Sequence, residues 1–226
     1  MKHFKHLFLA SLLATTFSAQ AAATLGSNLI VNGDAESGTA GWELFDGHDL
    51  FQSVSYGSNW VLPTQPGPAD RGSRMFAGVG AQSAGYQLVE LGSLSGQPLH
   101  YSLSGWLGGW LAQNDNALLY VSFLDSTSTE IGHAALGPMM PADRNNQSGL
   151  FYREDNGLLP VGTMSVMFSL SMERLSGGDN DGYADNLSFV LQAAPVPEPS
   201  EHLLALAGLG VMGVASVMRR ARRQAA

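Results

Sequence analysis

Regular alternation of apolar and polar residues is the feature that most restricts how this chain can fold. In LHYSLSGWL, residues 99–107, leucines and a tyrosine share one face, while serines and Trp106 occupy the other. MSVMFSLSM, residues 164–172, alternates in the same way between large apolar residues and serines. Since successive side chains of a β-strand point to opposite faces, each segment predicts a strand with one buried face and one serine-rich face.

Further strand candidates run the length of the chain. ALLYVSFLD, residues 117–125, is apolar on both faces as far as Ser122 and predicts a more central strand. The weaker candidates are NLIV, DLFQSV, RMFAGV, GYQLVEL, GHAAL, LFYRE and NLSFVL. Clusters of Gly, Pro, Asn and Asp separate these runs, and no stretch between them has the periodicity of a long amphipathic helix. Short strands with such turns predict an all-β fold, an antiparallel sandwich or barrel.

Charge and cysteine content exclude several classes of protein. The predicted domain, residues 24–192, has five arginines, no lysine and seventeen acidic residues, a net charge of −12 with neutral histidines. Nucleic-acid binding requires clustered positive charge, so this class is excluded. The chain has no cysteine, which rules out a disulfide framework, a zinc–thiolate site and a cysteine nucleophile.

The first residues have the three parts of a secretory signal peptide. Lys2 and Lys5 give a basic start, LFLASLLATTF at 7–17 is apolar, and Ala19-Gln20-Ala21 offers small residues for signal peptidase. The apolar run is too short to serve as a permanent anchor, which needs ~20 residues. We therefore predict a signal peptide over 1–21, with cleavage after Ala23 as the alternative.

The C-terminal region combines a linker, an apolar run and a basic end. Residues 193–200 form a Pro-rich linker, which is extended because proline restricts φ. The apolar run at 203–218 has sixteen residues, and four arginines follow within 219–223. A relaxed transmembrane helix needs ~20 apolar residues. This pattern predicts a short hydrophobic helix with an arginine-rich tail over 201–226, its C-terminus inside; a permanent single-pass anchor is the alternative.

The order of these features resembles a known sorting signal. Pro197-Glu198-Pro199, the short apolar run and the arginines together are similar to the PEP-CTERM signal of Gram-negative bacteria. The resemblance implies that the tail enters the inner membrane transiently and is removed by an exosortase. It further implies that the mature protein acts at the cell surface or outside the cell, with exopolysaccharide as its partner.

A second resemblance concerns the domain between the two signals. NLIVNGDAESGTAGW at its start and GYADNLSFVL at its end resemble galactose-binding-like jelly-roll domains, which include many carbohydrate-binding modules. The resemblance implies a jelly-roll β-sandwich over about 28–191, with adjacent first and last strands and a structural Ca²⁺ between them. The implied metal residues are Glu36, Asp185, Asp34 and Asn32. The alternative is that these are ordinary turn and cap residues.

No catalytic motif can be assembled from the sequence. His-rich metal spacings and G-x-S-x-G are absent, and among seventeen acidic residues no acid/base pair can be chosen by spacing alone. We therefore predict that the protein is not an enzyme. A polysaccharide hydrolase is the least favoured alternative.

Aromatic residues beside polar loops favour glycan binding instead. Aromatic faces pack on the C–H patches of sugars, and polar side chains bind the hydroxyls. The predicted ligand-binding residues are Trp110, Gln113, Asp115, Trp60 and Tyr56. Core packing of both tryptophans is the alternative, and Trp42 and Trp106 are assigned to the core or to inter-sheet packing. The predicted function is non-catalytic glycan binding outside the cell; a purely structural matrix protein without a sugar ligand is the main alternative.

Overall fold

Two antiparallel five-stranded sheets make up the part of the chain that the computed structural model describes, residues 22–57 and 59–194. The strands, in chain order, are β1 (Glu43–Leu44), β2 (Gln52–Ser55), β3 (Arg74–Ala77), β4 (Gln82–Glu90), β5 (Leu99–Gly109), β6 (Asn116–Leu124), β7 (Glu130–Leu136), β8 (Gly149–Leu158), β9 (Ser165–Glu173) and β10 (Tyr183–Ala193). Two short 3₁₀ turns, Gly92–Leu94 and Pro141–Arg144, are the helical elements of these residues.

The strand order confirms the predicted jelly-roll β-sandwich. One sheet, here the front sheet, has the order β2-β3-β10-β5-β8, and the other, the back sheet, has the order β1-β4-β9-β6-β7. The segment at 117–125 lies inside the back sheet as β6, between β9 and β7, as its apolar faces predict. Each of the other strand candidates corresponds to a strand except NLIV.

The core lies between the sheets and contains the apolar faces predicted from the alternation. Leu103 and Leu107 of β5 are fully buried there, as are Phe168 and Leu170 of β9. Phe189 of β10 packs edge-to-face on Phe168 across the two sheets, with ring centroids 5.2 Å apart. Full burial of each such side chain contributes about 1.5–3 kcal/mol, so this interface supplies most of the stability of the sandwich.

The segment NLIV is not a regular strand because the Asn28 side chain takes over backbone hydrogen bonds. Asn28 Nδ2 donates to the Leu187 carbonyl at 3.0 Å, and Asn28 Oδ1 accepts from the Phe189 amide at 2.8 Å. The segment nevertheless lies beside β10, as the family resemblance implies for the first and last elements: the Leu29 amide donates to the Phe189 carbonyl at 2.8 Å. Side-chain hydrogen bonds of this kind compete with the regular ladder.

The front sheet is split along β10. Strand β3 pairs with β10 only at Tyr183 and Ala184, and beyond them the N-terminal segment 26–33 takes the place of β3. The register shifts between Asp185 and Ser188, which marks a bulge at the change of partner. This split leaves an opening in the front sheet.

A second, smaller apolar cluster lies on the outer face of the front sheet. Its buried members are Val61, Met75, Ala77, Leu150 and Tyr183. The segment between β2 and β3 supplies Val61 and covers this part of the face. The cluster explains why several aromatic residues near turns are packed rather than free.

The predicted signal peptide (1–21) and the tail lie outside the described residues, as does most of the linker. The chain divides into two units, Met1–Ala193 and Ala194–Ala226, and every strand of the described part belongs to the first. Among the residues described, no helix is long and apolar enough to cross a membrane. The boundaries of the signal peptide, linker and tail stay predictions.

Candidate functional site

A strip of aromatic and polar side chains crosses the outer face of the front sheet. The neighbouring strands β10, β5 and β8 place Ser188, Ser104 and Glu154 opposite one another in one row. In a second row Trp106 of β5 lies opposite Tyr152 of β8. Outward and inward residues alternate along β5, so these side chains point away from the buried Leu103 and Leu107. We call Ser104, Trp106, Tyr152, Glu154 and Ser188 the front-sheet band.

Two aromatic rings form the centre of the band. The ring centroids of Trp106 and Tyr152 are 5.7 Å apart at an interplanar angle of 60°. Tyr152 is 46% exposed, and its hydroxyl donates to Glu154 Oε2 at 2.9 Å. This hydrogen bond raises the pKa of Tyr152, so the phenol stays protonated and its orientation is fixed.

The assignment of Trp106 to the core or inter-sheet packing is therefore wrong. Its indole lies on the outer face, partly buried against the small outer cluster. The alternation in LHYSLSGWL had already placed Trp106 on the serine face, so the sequence carried the signal. Trp42, by contrast, is buried as predicted and packs edge-to-face on Phe51 and Phe76.

A polar cleft of about 460 Å³ lies where the front sheet is split. Three segments line it: the N-terminal stretch within 28–36, the loop at 70–72 and the bulge at 186–188. We call it the split cleft. Ser188 belongs both to its lining and to the front-sheet band, so the cleft and the band are continuous.

Close backbone contacts shape the cleft. Asn186 adopts a left-handed conformation with φ of 46°, and its Nδ2 donates to Asp70 Oδ1 at 3.0 Å. A Cβ at Gly33 would lie 2.1 Å from the Leu187 carbonyl oxygen, so only glycine lets the N-terminal segment approach β10 here. These direct contacts therefore fix the three lining segments relative to one another.

Arg71 is held rigidly at the cleft. Its Nε donates to the Pro68 carbonyl at 2.9 Å, its Nη2 donates to the Gln65 carbonyl at 3.2 Å, and the guanidinium lies 5.2 Å from the Tyr56 ring centroid. Within the described part of the chain, Nη1 of Arg71 is buried and has no hydrogen-bond partner. Arg71 therefore contributes a fixed positive charge beside the cleft.

The four residues predicted to bind calcium are brought near one another. Asn32, Asp34 and Glu36 line the split cleft, and Asp185 is fully buried beside it. Burial raises the pKa of Asp185 to about 7, despite hydrogen bonds from Tyr56 and the Asn186 amide, and the charges of Asp34 and Glu36 raise it too. The structure thus confirms that the four residues lie close together, while metal binding stays a prediction.

All four side chains already accept hydrogen bonds from protein donors, Asp34 Oδ1 from the Glu36 amide at 3.4 Å. Glu36 accepts from the amides of Ser73 and Arg74 and from the Ser73 hydroxyl, at 2.7–2.8 Å, and the hydroxyl lowers its pKa. Asp185 accepts from the Tyr56 hydroxyl at 2.5 Å and from the Asn186 amide at 2.8 Å. N–H and O–H groups directed at a carboxylate occupy the positions that a cation would take.

Asn32 is committed to a turn in the same way. Its Nδ2 donates to the carbonyls of Gly38 and Ala40, and its Oδ1 accepts from the Ser37 amide. No group of three or more acidic or histidine side chains in the described residues is arranged to hold a metal ion. The arrangement does not fit a cation bound by all four residues, and calcium binding stays a prediction of the sequence.

The predicted sugar-binding aromatics pack against the small outer cluster. Tyr56, Trp60 and Trp110 are partly buried there, and the Trp60 ring lies edge-on to Tyr183 with centroids 6.2 Å apart. Their predicted contact with a ligand is untested, whereas their packing is directly visible. The local sequence could not reveal this cluster, because it is built from four separate stretches of chain.

Asp115 has a structural role rather than contact with a surface ligand. It is fully buried, and its carboxylate accepts from the amides of Leu175, Ser176 and Asp181 at 2.6–3.1 Å. Gln113, whose backbone carbonyl accepts a hydrogen bond from buried Arg144, lies in the same loop cluster. Asp115 and the Gln113 backbone are therefore part of the scaffold at this end of the sandwich, while contact of the Trp110 and Gln113 side chains with a ligand stays a prediction.

Comparisons with solved structures show a likeness of fold. The enzymatically active domain of tailspike protein 4 from bacteriophage CBA120 aligns with a TM-score of 0.50 at 13% identity, over 73% of this chain and 21% of the phage chain. This chain thus spans about a fifth of the tailspike chain. A family 16 carbohydrate-binding module gives 0.47 at 23% identity, over 72% and 99% of the two chains. The CBM22-1 xylan-binding domain from Paenibacillus barcinonensis gives 0.45 at 15%, over 77% and 100%.

The C-terminal sequence gives the more specific match. No curated protein matches the chain. A family model described as the PEP-CTERM protein-sorting motif matches residues 195–223, which confirms the motif predicted around Pro197-Glu198-Pro199. The chain is therefore an exported protein in which a jelly-roll β-sandwich precedes a C-terminal PEP-CTERM sorting motif.

Proposed function

We propose that the front sheet binds a glycan outside the cell without cleaving it. The observation that carries this proposal is the exposed Tyr152 ring beside Trp106, set among the serines of the front-sheet band. Aromatic faces bind the apolar patches of sugar rings, and hydroxyl and carboxylate groups beside them bind sugar hydroxyls. The band has both components on one open surface.

The charge of the domain favours a neutral glycan. A net charge of −12 repels polyanions over the whole surface, and the band itself contains Glu154 but no basic residue. An exopolysaccharide of neutral sugars is thus the proposed ligand class, in preference to one rich in uronic acids. Binding that survives high salt is a direct consequence of this choice.

The same surface favours binding over hydrolysis. Glycoside hydrolysis usually requires two carboxyl groups on opposite sides of the scissile bond. In the front-sheet band Glu154 supplies one carboxylate, which is already engaged by the Tyr152 hydroxyl. A non-catalytic role is therefore part of the proposal, and release of reducing sugar from a bound glycan would contradict it.

Trp106→Ala and Tyr152→Ala are each expected to weaken binding to a neutral glycan at least tenfold. Central aromatic contacts commonly contribute more than the ~1.4 kcal/mol to which a tenfold change corresponds. An array of neutral glycans identifies the ligand, and isothermal titration calorimetry measures the variants. Tyr120→Ala, a partly buried tyrosine on the outer face of the back sheet, is the matched control and should bind as the wild type does.

Two results would contradict this assignment. Wild-type affinity in both front-sheet variants would remove the band as the site. Failure of the wild-type protein to bind any neutral glycan would favour the alternative of a structural matrix protein without a sugar ligand.

We further propose that an exosortase removes the sorting motif during export. The Pro-Glu-Pro step at 197–199 precedes an apolar run too short for a relaxed membrane span. Mass spectrometry of the mature protein is expected to find a C-terminus within 197–200. A mature protein that still contains 219–226 would show instead that the tail is kept as an anchor.

A further inference from the structure

We infer that the split cleft binds the terminal sugar of a neutral glycan, so that the front sheet recognises chain ends rather than chain interiors. This inference rests on the proposed function, because it concerns one end of the same surface. It goes further by specifying which part of the glycan is bound and which residues bind it.

A bound glycan chain would run across the strands of the front sheet. The cross-strand row Ser188, Ser104 and Glu154 leads from the split cleft across β5 to β8. Strand β8 is the edge of the front sheet, so a chain lying along this row can continue past β8 into solvent. At the β10 side the row leads into the cleft.

Contacts between its lining segments close the cleft at the other end of the row. Residues 26–33 are joined to β10 by backbone hydrogen bonds that lie in the sheet and form the floor, among them Leu187 amide to Gly33 carbonyl at 3.0 Å. The other lining segments are joined to one another: Glu36 accepts from the amides of Ser73 and Arg74 at 2.7 and 2.8 Å, and Asp70 accepts from Asn186 Nδ2 at 3.0 Å. A longer chain would have to break the contacts between these segments to pass, whereas a chain end would not.

The lining has charged groups that can bind sugar hydroxyls. Asp34 and Asp70 are exposed carboxylates there, and Arg71 lines the cleft with them. Carboxylates accept from sugar hydroxyls, a guanidinium donates to them, and hydrogen bonds to charged groups are the stronger kind. A terminal sugar has a hydroxyl that an interior sugar has lost to its glycosidic bond.

The volume of the split cleft and the charges of its lining both suit a single small neutral group. The cleft volume of about 460 Å³ falls within the ~300–1,000 Å³ of typical small-molecule sites. Three carboxylates, those of Asp34, Glu36 and Asp70, outnumber the single guanidinium of Arg71, so a terminal uronic acid would be repelled. The expected occupant is a neutral monosaccharide unit at the end of a chain.

The test asks whether the number of binding sites follows the number of chain ends or the mass of the polysaccharide. The exported protein is titrated with the neutral polysaccharide identified by the array, first intact and then partly hydrolysed to shorter chains at equal mass. Chain-end recognition predicts that the number of binding sites per gram rises in proportion to the number of chains. Sites per gram that stay constant on fragmentation would overturn the inference.

A double variant tests the residues. Asp34→Asn/Asp70→Asn keeps the side-chain shapes, and the amide introduced at position 70 retains an oxygen to accept from Asn186, so folding should be preserved, which the Tm verifies. Its affinity for the short chains should fall at least tenfold, because two charge-assisted hydrogen bonds become neutral ones. Asp46→Asn, an exposed acid that does not line the cleft, is the matched control and should bind normally.

The outcomes separate the two proposals. If the double variant binds as tightly as wild type while Trp106→Ala still loses binding, the chain-end inference fails and the proposed function stands. If no variant in the band or cleft alters binding, or if no neutral glycan binds at all, both fail.

Discussion

Replacing Arg144 with methionine is expected to lower the free energy of unfolding by about 3–5 kcal/mol, because hydrogen bonds to a charged group contribute about 1.5–3 kcal/mol each and several are lost. Arg144 is fully buried, and its guanidinium donates to the backbone carbonyls of Leu111, Gln113 and Gln147. Burial lowers its pKa, and the nearby acidic groups of Tyr183, Asp115 and Asp181 counteract this. Methionine fills the space but leaves three carbonyls without donors.

The loss of stability should be specific to Arg144. The free energy of unfolding is measured in urea with tryptophan fluorescence as the signal, and Arg153→Met is the matched control. Arg153 is only partly buried and donates to the Tyr152 carbonyl and to Met139 Sδ, so its loss should cost about 1 kcal/mol or less. Arg144→Lys retains the charge but not the planar set of donors and should recover little of the loss. A cost below about 1 kcal/mol for Arg144→Met would show that the loops hold together without it.

The second large effect is a dependence of stability on pH that originates at Asp185. Its pKa is raised to about 7 in the folded protein, mainly by burial, from an ordinary value of about 3.8. A raised pKa means that the folded state favours the protonated form, so this contribution to stability is complete below about pH 3.8 and is lost as the pH rises through 7. At 1.36 kcal/mol per unit, the full change is about 4 kcal/mol.

Asp185→Asn isolates this contribution from the other titrating groups. Asparagine is neutral at every pH and keeps an oxygen for the Asn186 amide, so the variant should be more stable than wild type at pH 8 and close to it at pH 4. The difference between the two unfolding free energies, measured in urea across this range, is the quantity to follow. A difference that does not change with pH would contradict the assignment to Asp185.

The wild-type protein and Asp185→Asn also test whether calcium binds. From the hydrogen bonds at Glu36 and Asp185 we expect the Tm of chelator-treated wild-type protein to stay unchanged when calcium is added at pH 8. If calcium raises the Tm of wild type but not of Asp185→Asn, the sequence-based prediction of a structural ion is correct and the geometry around Glu36 must rearrange to accommodate it.

The strands were predictable because their signal is local. Alternation in LHYSLSGWL and MSVMFSLSM gives both the strand and its buried face, and the structure places Leu103 and Phe168 accordingly. The same alternation put Trp106 on the solvent side, where its indole packs against the small outer cluster. Local pattern was the better guide for this residue.

The site could not be predicted in the same way because it depends on contacts between distant parts of the chain. Trp60 and Trp110 stand beside turn residues, yet a cluster assembled from separate segments packs against both. Asp115 resembles a solvated turn residue, yet three amides from a later loop converge on it. Nothing in the sequence around Arg144 shows that three carbonyls would surround its side chain.

The change of partner along β10 has a consequence for when the domain can fold. Asn28 bonds to Leu187 and Phe189 across 159 and 161 residues of chain, which makes this one of the most distant pairings in the sandwich. Closing so large a loop is entropically unfavourable and slow compared with forming hairpins. The N-terminal segment, although made first, must wait for the last strand of the domain before it can pair. The front sheet, with its cleft, is therefore completed only when the whole domain is available to fold.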